Sequence, residues 1–198
     1  MKILIACFAL IIVSACSFKE PYKKQYTLDV QTEAPTQRGM MCQDKSLKVS
    51  QAFSSNRLMD RQMSYIEGAY REYAFSESEW AQSPNSIITQ KLISSIRQSG
   101  LFKSVEGYKS RSKSDYLLES TIEEFVQYYS EDAKHSYVKA VMHFVLIDAK
   151  SSEVISSKSL SKKIELQSLK ADEGVSALSK ALSEIFKEKN IWLSEECR

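Results

Sequence analysis

The stretch Tyr137-Val138-Lys139-Ala140-Val141-Met142-His143-Phe144-Val145-Leu146-Ile147 decides how this chain folds. Val138, Ala140, Met142, Phe144 and Leu146 occupy alternate positions, so an extended backbone puts all of them on one face. A helix would scatter them around its axis. The polar run at 148–152 then reads as a turn, and residues 153–166 as the returning strand of a hairpin. Just upstream, residues 116–128 form a third long strand. Three long strands with one apolar face need a covering layer.

Two helices supply it. Ser83 and Pro84 mark a helix start, because proline at the first position loses no hydrogen bond. Ile88, Leu92 and Ile96 recur every four residues, joined by Ile87 and Ile93, and Gly100 provides the stop. The spacing predicts a helix over Pro84–Ser99. A second apolar stripe, Val175, Leu178, Leu182, Ile185 and Phe186, predicts a C-terminal helix capped by Asp172 and ended at Asn190. Shorter strands are expected at 26–30, 46–52 and 102–105, with a hairpin from 63–67 and 70–75 split by Gly68. A polar loop with Pro35 and Gly39 follows the first strand. The expected fold is a single α+β domain over residues 26–198, an antiparallel sheet with both helices on one face.

The N-terminus carries a different message. Lys2 precedes an apolar run that ends in Val13-Ser14-Ala15-Cys16, the pattern of a signal peptide with a lipoprotein processing box. The run is about half the ~20 residues needed to span a bilayer as a helix. Leu4-Ile5-Ala6-Cys7 fits the same small-residue pattern but has almost no hydrophobic segment before it. Residues 1–15 are therefore expected to be removed, Cys16 to be lipidated, and 16–25 to serve as a tether. Ser17, in place of an aspartate, favours the outer membrane and its periplasmic face. Of the four cysteines, the remaining Cys42 and Cys197 are expected to form a disulfide in that oxidising compartment.

The formal net charge of +2 argues against a nucleic-acid partner. Chemistry is thin. His135 and His143 are the only histidines, and neither has metal-ligand spacing to cysteine or carboxylate. Glu123-Glu124 and Glu131-Asp132 are adjacent pairs, which strand geometry sends to opposite faces. No nucleophile-elbow serine occurs, and five glycines leave little for a phosphate cradle. Lys109, Arg111 and Lys113 read as a solvated loop. No catalytic residue, metal or cofactor is expected. Phe125, Tyr128, Tyr129 and Tyr137 cluster at the ends of two neighbouring strands, and Tyr128, Tyr129 and Tyr137 are the candidate contacts for a partner or lipid.

A further pattern runs through the chain. Tyr26-Thr27-Leu28 follows the lipobox; Leu58-Met59-Asp60-Arg61 leads to Tyr65; Trp80-Ala81 precedes Pro84. Ser99-Gly100-Leu101-Phe102 ends the helix before Val105, and Asp115-Tyr116-Leu117-Leu118, Phe125, Ala181-Leu182 and Trp192 complete the series. In this order and spacing the chain resembles the ABC-type transport auxiliary lipoprotein family. The Cys42/Cys197 pair is a departure from it. The resemblance implies a non-catalytic accessory subunit of a lipid transport system, in which MCE-domain proteins bridge the periplasm to an inner-membrane transporter. It leaves open a homo-oligomer. Two other readings are an assembly lipoprotein that plugs an outer-membrane β-barrel and a carrier with its own lipid cavity.

Overall fold

A computed structural model describes residues 22–31 and 42–196; Cys16, Cys197, Pro35 and Gly39 lie outside them. Along the chain come β1 (Lys24–Tyr26), β2 (Cys42–Val49), β3 (Phe53–Ser54), a short 3-10 turn (Asn56–Leu58), β4 (Gln62–Glu67) and β5 (Arg71–Trp80). Helix α1 (Pro84–Ser99) follows, then β6 (Phe102–Gly107), β7 (Tyr116–Tyr129), β8 (Ser136–Asp148), β9 (Val154–Leu166) and α2 (Ala171–Glu196).

The alternation of residues 138–146 is realised in β8. Val138, Ala140, Met142 and Phe144 are fully buried, while Tyr137, Lys139, Val141, His143 and Val145 on the opposite face are half-buried. β8 pairs antiparallel with β7 on one side and β9 on the other. The far edge of β7 is shared by three short strands laid end to end. β2 pairs with it at Leu47↔Tyr116, β3 at Phe53↔Thr121 and β4 at Tyr65↔Gln127, all parallel. Residues 42–67 thus form one interrupted strand beside β7. Outside it, β6 adds parallel to β2, β5 antiparallel to β4, and β1 parallel to β5.

The fold is α+β, but the sheet is mixed where an antiparallel one was expected. Periodicity reports which face a strand buries. It carries no information on a partner tens of residues away.

A bulge in β7 between Ile122 and Glu124 changes which residues face the helices. Before it, Leu118, Ser120 and Ile122 point inward. After it, Phe125, Gln127 and Tyr129 do, opposite Ala140, Val138 and Ser136.

In α1, Ile88, Leu92 and Ile96 are fully buried against the sheet. The Ser83 side chain makes no cap bond; its carbonyl accepts from Ile87 N–H at 3.1 Å instead. Gly100 ends the helix in the left-handed conformation, φ 65°. The second helix differs from expectation at both ends. Asp172 lies inside its first turn and accepts the Tyr26 hydroxyl, while Glu173 accepts Gln167 N–H at 2.7 Å. Both carboxylates suit the positive end of the helix dipole. Asn190 does not stop the helix. It is buried, and its amide donates to Ser95 Oγ on α1 at 3.3 Å, tying the helices together.

The expected strand at 26–30 is mostly not a strand. After Tyr26 the chain leaves the sheet and runs along α2, where Asp29 N–H donates to Ser179 Oγ and Gln31 N–H to Ser183 Oγ. Leu28 is buried there at 1% exposure.

Candidate interaction surface

Tyrosines gather at the end of the sheet where the β4–β5 hairpin turns. Gly68 adopts φ +63°, and its N–H donates to Tyr129 carbonyl at 2.9 Å, fastening the turn to β7. The register then sets Ile66 beside Tyr128 and Glu67 beside Tyr129, with Tyr128 opposite Tyr137.

The three candidate tyrosines do not form one patch. Tyr128 and Tyr137 lie together on the face away from the helices, rings stacked with centroids 4.9 Å apart and planes 10° apart. Lys163 Nζ sits 3.9 Å from the Tyr137 ring centroid. The Tyr128 hydroxyl donates to Glu124 at 2.9 Å, and Lys139 donates to the other Glu124 oxygen at 2.6 Å. Burial, reinforced by the Glu124 carboxylate, pushes the Tyr128 hydroxyl up to about 12. Burial opposes charge on Glu124 as well, but the hydrogen bonds from Lys139 and Tyr128 hold its carboxyl below the usual range. Tyr128 is therefore a donor and Glu124 an ion.

Tyr129 points the other way. It stacks on Tyr65 at 4.4 Å, meets Phe75 edge-on, and donates to Leu169 carbonyl at 2.5 Å. Its hydroxyl is also pushed up to about 12, first by burial and then by Tyr65. This residue anchors the loop before α2. Strand alternation alone separates residues 128 and 129.

Sequence reasoning did not count Tyr65, Tyr70 and Tyr73 among the contact candidates. Tyr70, in the turn, is 83% exposed and Tyr73 43%, and Tyr65 and Tyr73 stack as cross-strand partners. The glycine-centred hairpin was the signal that could have placed them.

Elsewhere the molecule offers little assembled chemistry. Among the described residues no group of three or more His, Cys, Asp or Glu could hold a metal. His143 Nδ1 lies 2.8 Å from Ser159 Oγ on the open face. A groove of ≈340 Å³ runs between α1 and the loop after β6, with Gln51, Thr89, Gln90 and Lys109 on its walls. Another of ≈540 Å³ lies between residues 27–31 and α2. Cys42 opens β2 and is buried. No helix among the described residues is long and apolar enough to cross a membrane.

One buried group was not anticipated. Lys189 on α2 is completely buried, and its Nζ has no hydrogen-bond partner among the described residues. The Phe186 ring lies 5.4 Å away. Burial drives its ammonium well below the ordinary lysine range. The signal was present: position 189 continues the Leu182, Ile185, Phe186 stripe by helical spacing.

Comparison with known proteins places the chain. The family described as ABC-type transport auxiliary lipoprotein component matches residues 26–188. By sequence, no curated protein matches. Among solved structures, a DUF330-family protein from Xanthomonas campestris superposes with TM-score 0.79 at 14% identity, over 87% of this chain and 95% of that one. An uncharacterized protein gives TM-score 0.62 at 16% identity, over 89% and 99%. A hypothetical protein from Chlamydia trachomatis gives 0.52 at 9% identity, over 77% and 97%. At these identities the likeness is one of fold.

Proposed function

Since the chain belongs to the ABC-type transport auxiliary lipoprotein family, we propose that it is a non-catalytic accessory subunit of an MCE-type lipid transport system. It is held at the periplasmic face of the outer membrane through Cys16 and docks a periplasmic MCE-domain partner. What supports this most is the order of parts: a lipobox ending at Cys16, then a family domain beginning at Tyr26. The intervening tether spans at most about 30 Å, beside a domain of radius of gyration about 16 Å. A domain so confined takes part in traffic between two membranes only through a partner that bridges them.

The space between helices and sheet is occupied by Phe144, Phe186, Met142 and Leu92, each at most 1% exposed. That packing favours docking over carrying a lipid. The open-face pair Tyr128 and Tyr137 is the contact we assign to the partner, since stacked, partly exposed tyrosines suit interfaces. In a pull-down of residues 17–198 with the cognate MCE-domain protein, Tyr128→Ala or Tyr137→Ala should weaken binding by about 2 kcal/mol, roughly 30-fold. Charge reversal at Lys109, Arg111 and Lys113 should matter less. Stoichiometric phospholipid in the purified domain without partner binding would instead establish a carrier, and stable co-purification with a β-barrel an assembly role.

The anchor and the disulfide are checked by one measurement. α2 finishes at the end of the sheet where β2 enters, since Trp192 packs on Phe144 and β2 meets β7 at Tyr116. A Cys42–Cys197 bridge would join the two there. Intact mass of the mature chain should show an acylated N-terminal Cys16 and a gain of two hydrogens on reduction. An acylated Cys16→Ser chain would refute the anchor; no gain would refute the bridge.

A further inference from the structure

We infer that the tyrosine-rich end of the sheet is the end this domain turns toward its bilayer, with the Tyr70 turn at the level of the lipid headgroups. The inference rests on Cys16 being the lipid anchor.

The direction of the tether comes from the register of β1. That strand runs parallel to β5, with Lys24 beside Ser78 and Tyr26 beside Trp80. In a parallel pair, the chain preceding Lys24 heads where the chain preceding Ser78 lies, toward Arg71 and the turn at residues 68–70. From Glu79 back to Arg71 the partner strand β4 advances only from Gln62 to Glu67, because β5 is irregular there, so the climb to the turn is ~17 Å at ~3.3 Å per residue. From Lys24 back to Cys16 the chain reaches at most ~28 Å. A tether of that length is long enough to reach the level of the turn.

The opposite end is out of reach. Trp80 packs on Phe125, ring centroids 6.0 Å apart, which fixes the height of Lys24 along β7. From Phe125 to the start of β7 at Tyr116 is ~26 Å, and Lys24 lies a further two residues, ~7 Å, the other way, so the tether would also have to reverse. The anchor therefore selects one end of the domain.

That end has the composition of a membrane interface. Tyr22, on the way to the tether, is 88% exposed and Tyr70 is 83% exposed; no other large hydrophobic side chain among the described residues is as exposed as either. Tyr73, on the strand that leaves the turn, is 43% exposed. Tyrosine favours headgroup depth, where its ring leaves water and its hydroxyl does not. Of the cations there, Arg71 pairs with Glu67 at 2.9 Å and Lys134 with Asp132 at 3.7 Å, while Lys23 and Lys24, next to Tyr22, are exposed. The surface this end fits is a phospholipid headgroup layer, and the tyrosines suit it even where the phospholipid is zwitterionic. The open face with Tyr128 and Tyr137 would then stand upright beside the membrane, free for a protein partner.

The test uses the acylated full-length lipoprotein in vesicles of phosphatidylethanolamine and phosphatidylcholine with brominated acyl chains, which quench nearby tryptophan. Tyr70→Trp reports on the turn, and Lys150→Trp on the β8–β9 turn at the other end. Trp80 and Trp192 are buried and common to both. The added fluorescence of Tyr70→Trp should be quenched several-fold more strongly than that of Lys150→Trp, and raised salt should leave the ratio unchanged. Equal quenching in chains that float with the vesicles, or stronger quenching at Lys150→Trp, overturns the orientation while leaving the anchor intact. Chains that do not float overturn the anchor and the orientation together.

Discussion

Leu92→Ala is expected to lower the unfolding free energy by about 2–5 kcal/mol. Leu92 is fully buried at the centre of the α1 stripe, with Ile88 and Ile96 a turn away on either side, both also fully buried. Its truncation removes apolar surface from a layer held between sheet and helix. The surroundings cannot collapse to fill it, because α1 is tied to neighbours along its length. Thr89 Oγ1 accepts from Ala52 N–H at 3.0 Å, Arg97 donates to Val105 carbonyl at 2.8 Å, and Ser95 accepts from Asn190. Lys91→Ala, one position away and only partly buried, should change stability by no more than about 0.5 kcal/mol. Denaturant unfolding of the two variants checks this, and equal small losses would mean that α1 is peripheral to the core.

Lys189→Met should act in the opposite direction. The Lys189 amine is stripped of water and given no partner among the described residues, and an orphaned buried donor costs about 1–3 kcal/mol. Methionine keeps the unbranched length and removes the donor. The gain depends on pH. Burial lowers the folded-state pKa well below the ordinary value of 10.5, so the folded chain holds this amine neutral while the unfolded chain protonates it. The unfolded state then binds the extra proton from the depressed folded pKa up to about 10.5. Across that window, stability rises with pH at up to about 1.4 kcal/mol per unit. Lys189→Met should remove this slope, and its advantage over the parent should be large at neutral pH and shrink toward pH 10. An advantage independent of pH would show that the amine stays charged in the folded protein.

What could be read from the sequence followed locality. The bounds of α1, Pro84–Ser99, coincide with expectation because the start signal, the stop signal and the stripe all lie in the helix or directly next to it. The hairpin of β8 and β9 was legible from parity and a polar turn. The parallel placement of β2, β3 and β4 beside β7 was not, since the partners are distant and share no local signature. Asn190 misled because it is an ordinary helix terminator when exposed; buried against Ser95, it continues the helix. The candidate surface was half legible. Residues 128 and 137 do meet, but residue 129 belongs to the other side, and the exposed ring of Tyr70 belonged to a hairpin read only for its strands.

The interrupted strand at residues 42–67 also dictates when this protein can fold. Each of its segments docks on β7, which lies more than fifty residues later in the pairing Leu47↔Tyr116 and similarly in Phe53↔Thr121 and Tyr65↔Gln127. These contacts have high sequence separation, so their loops must close before any of them stabilises the chain, and topologies of that kind form slowly. Until β7 has been made, β4 and β5 can form a hairpin and β2 can meet β6, but β3 has no partner strand and nothing joins the two pairs. A chain emerging from the ribosome would thus stay open through its first half. If the chain is exported as proposed above, delayed closure keeps it in the state a narrow channel can pass.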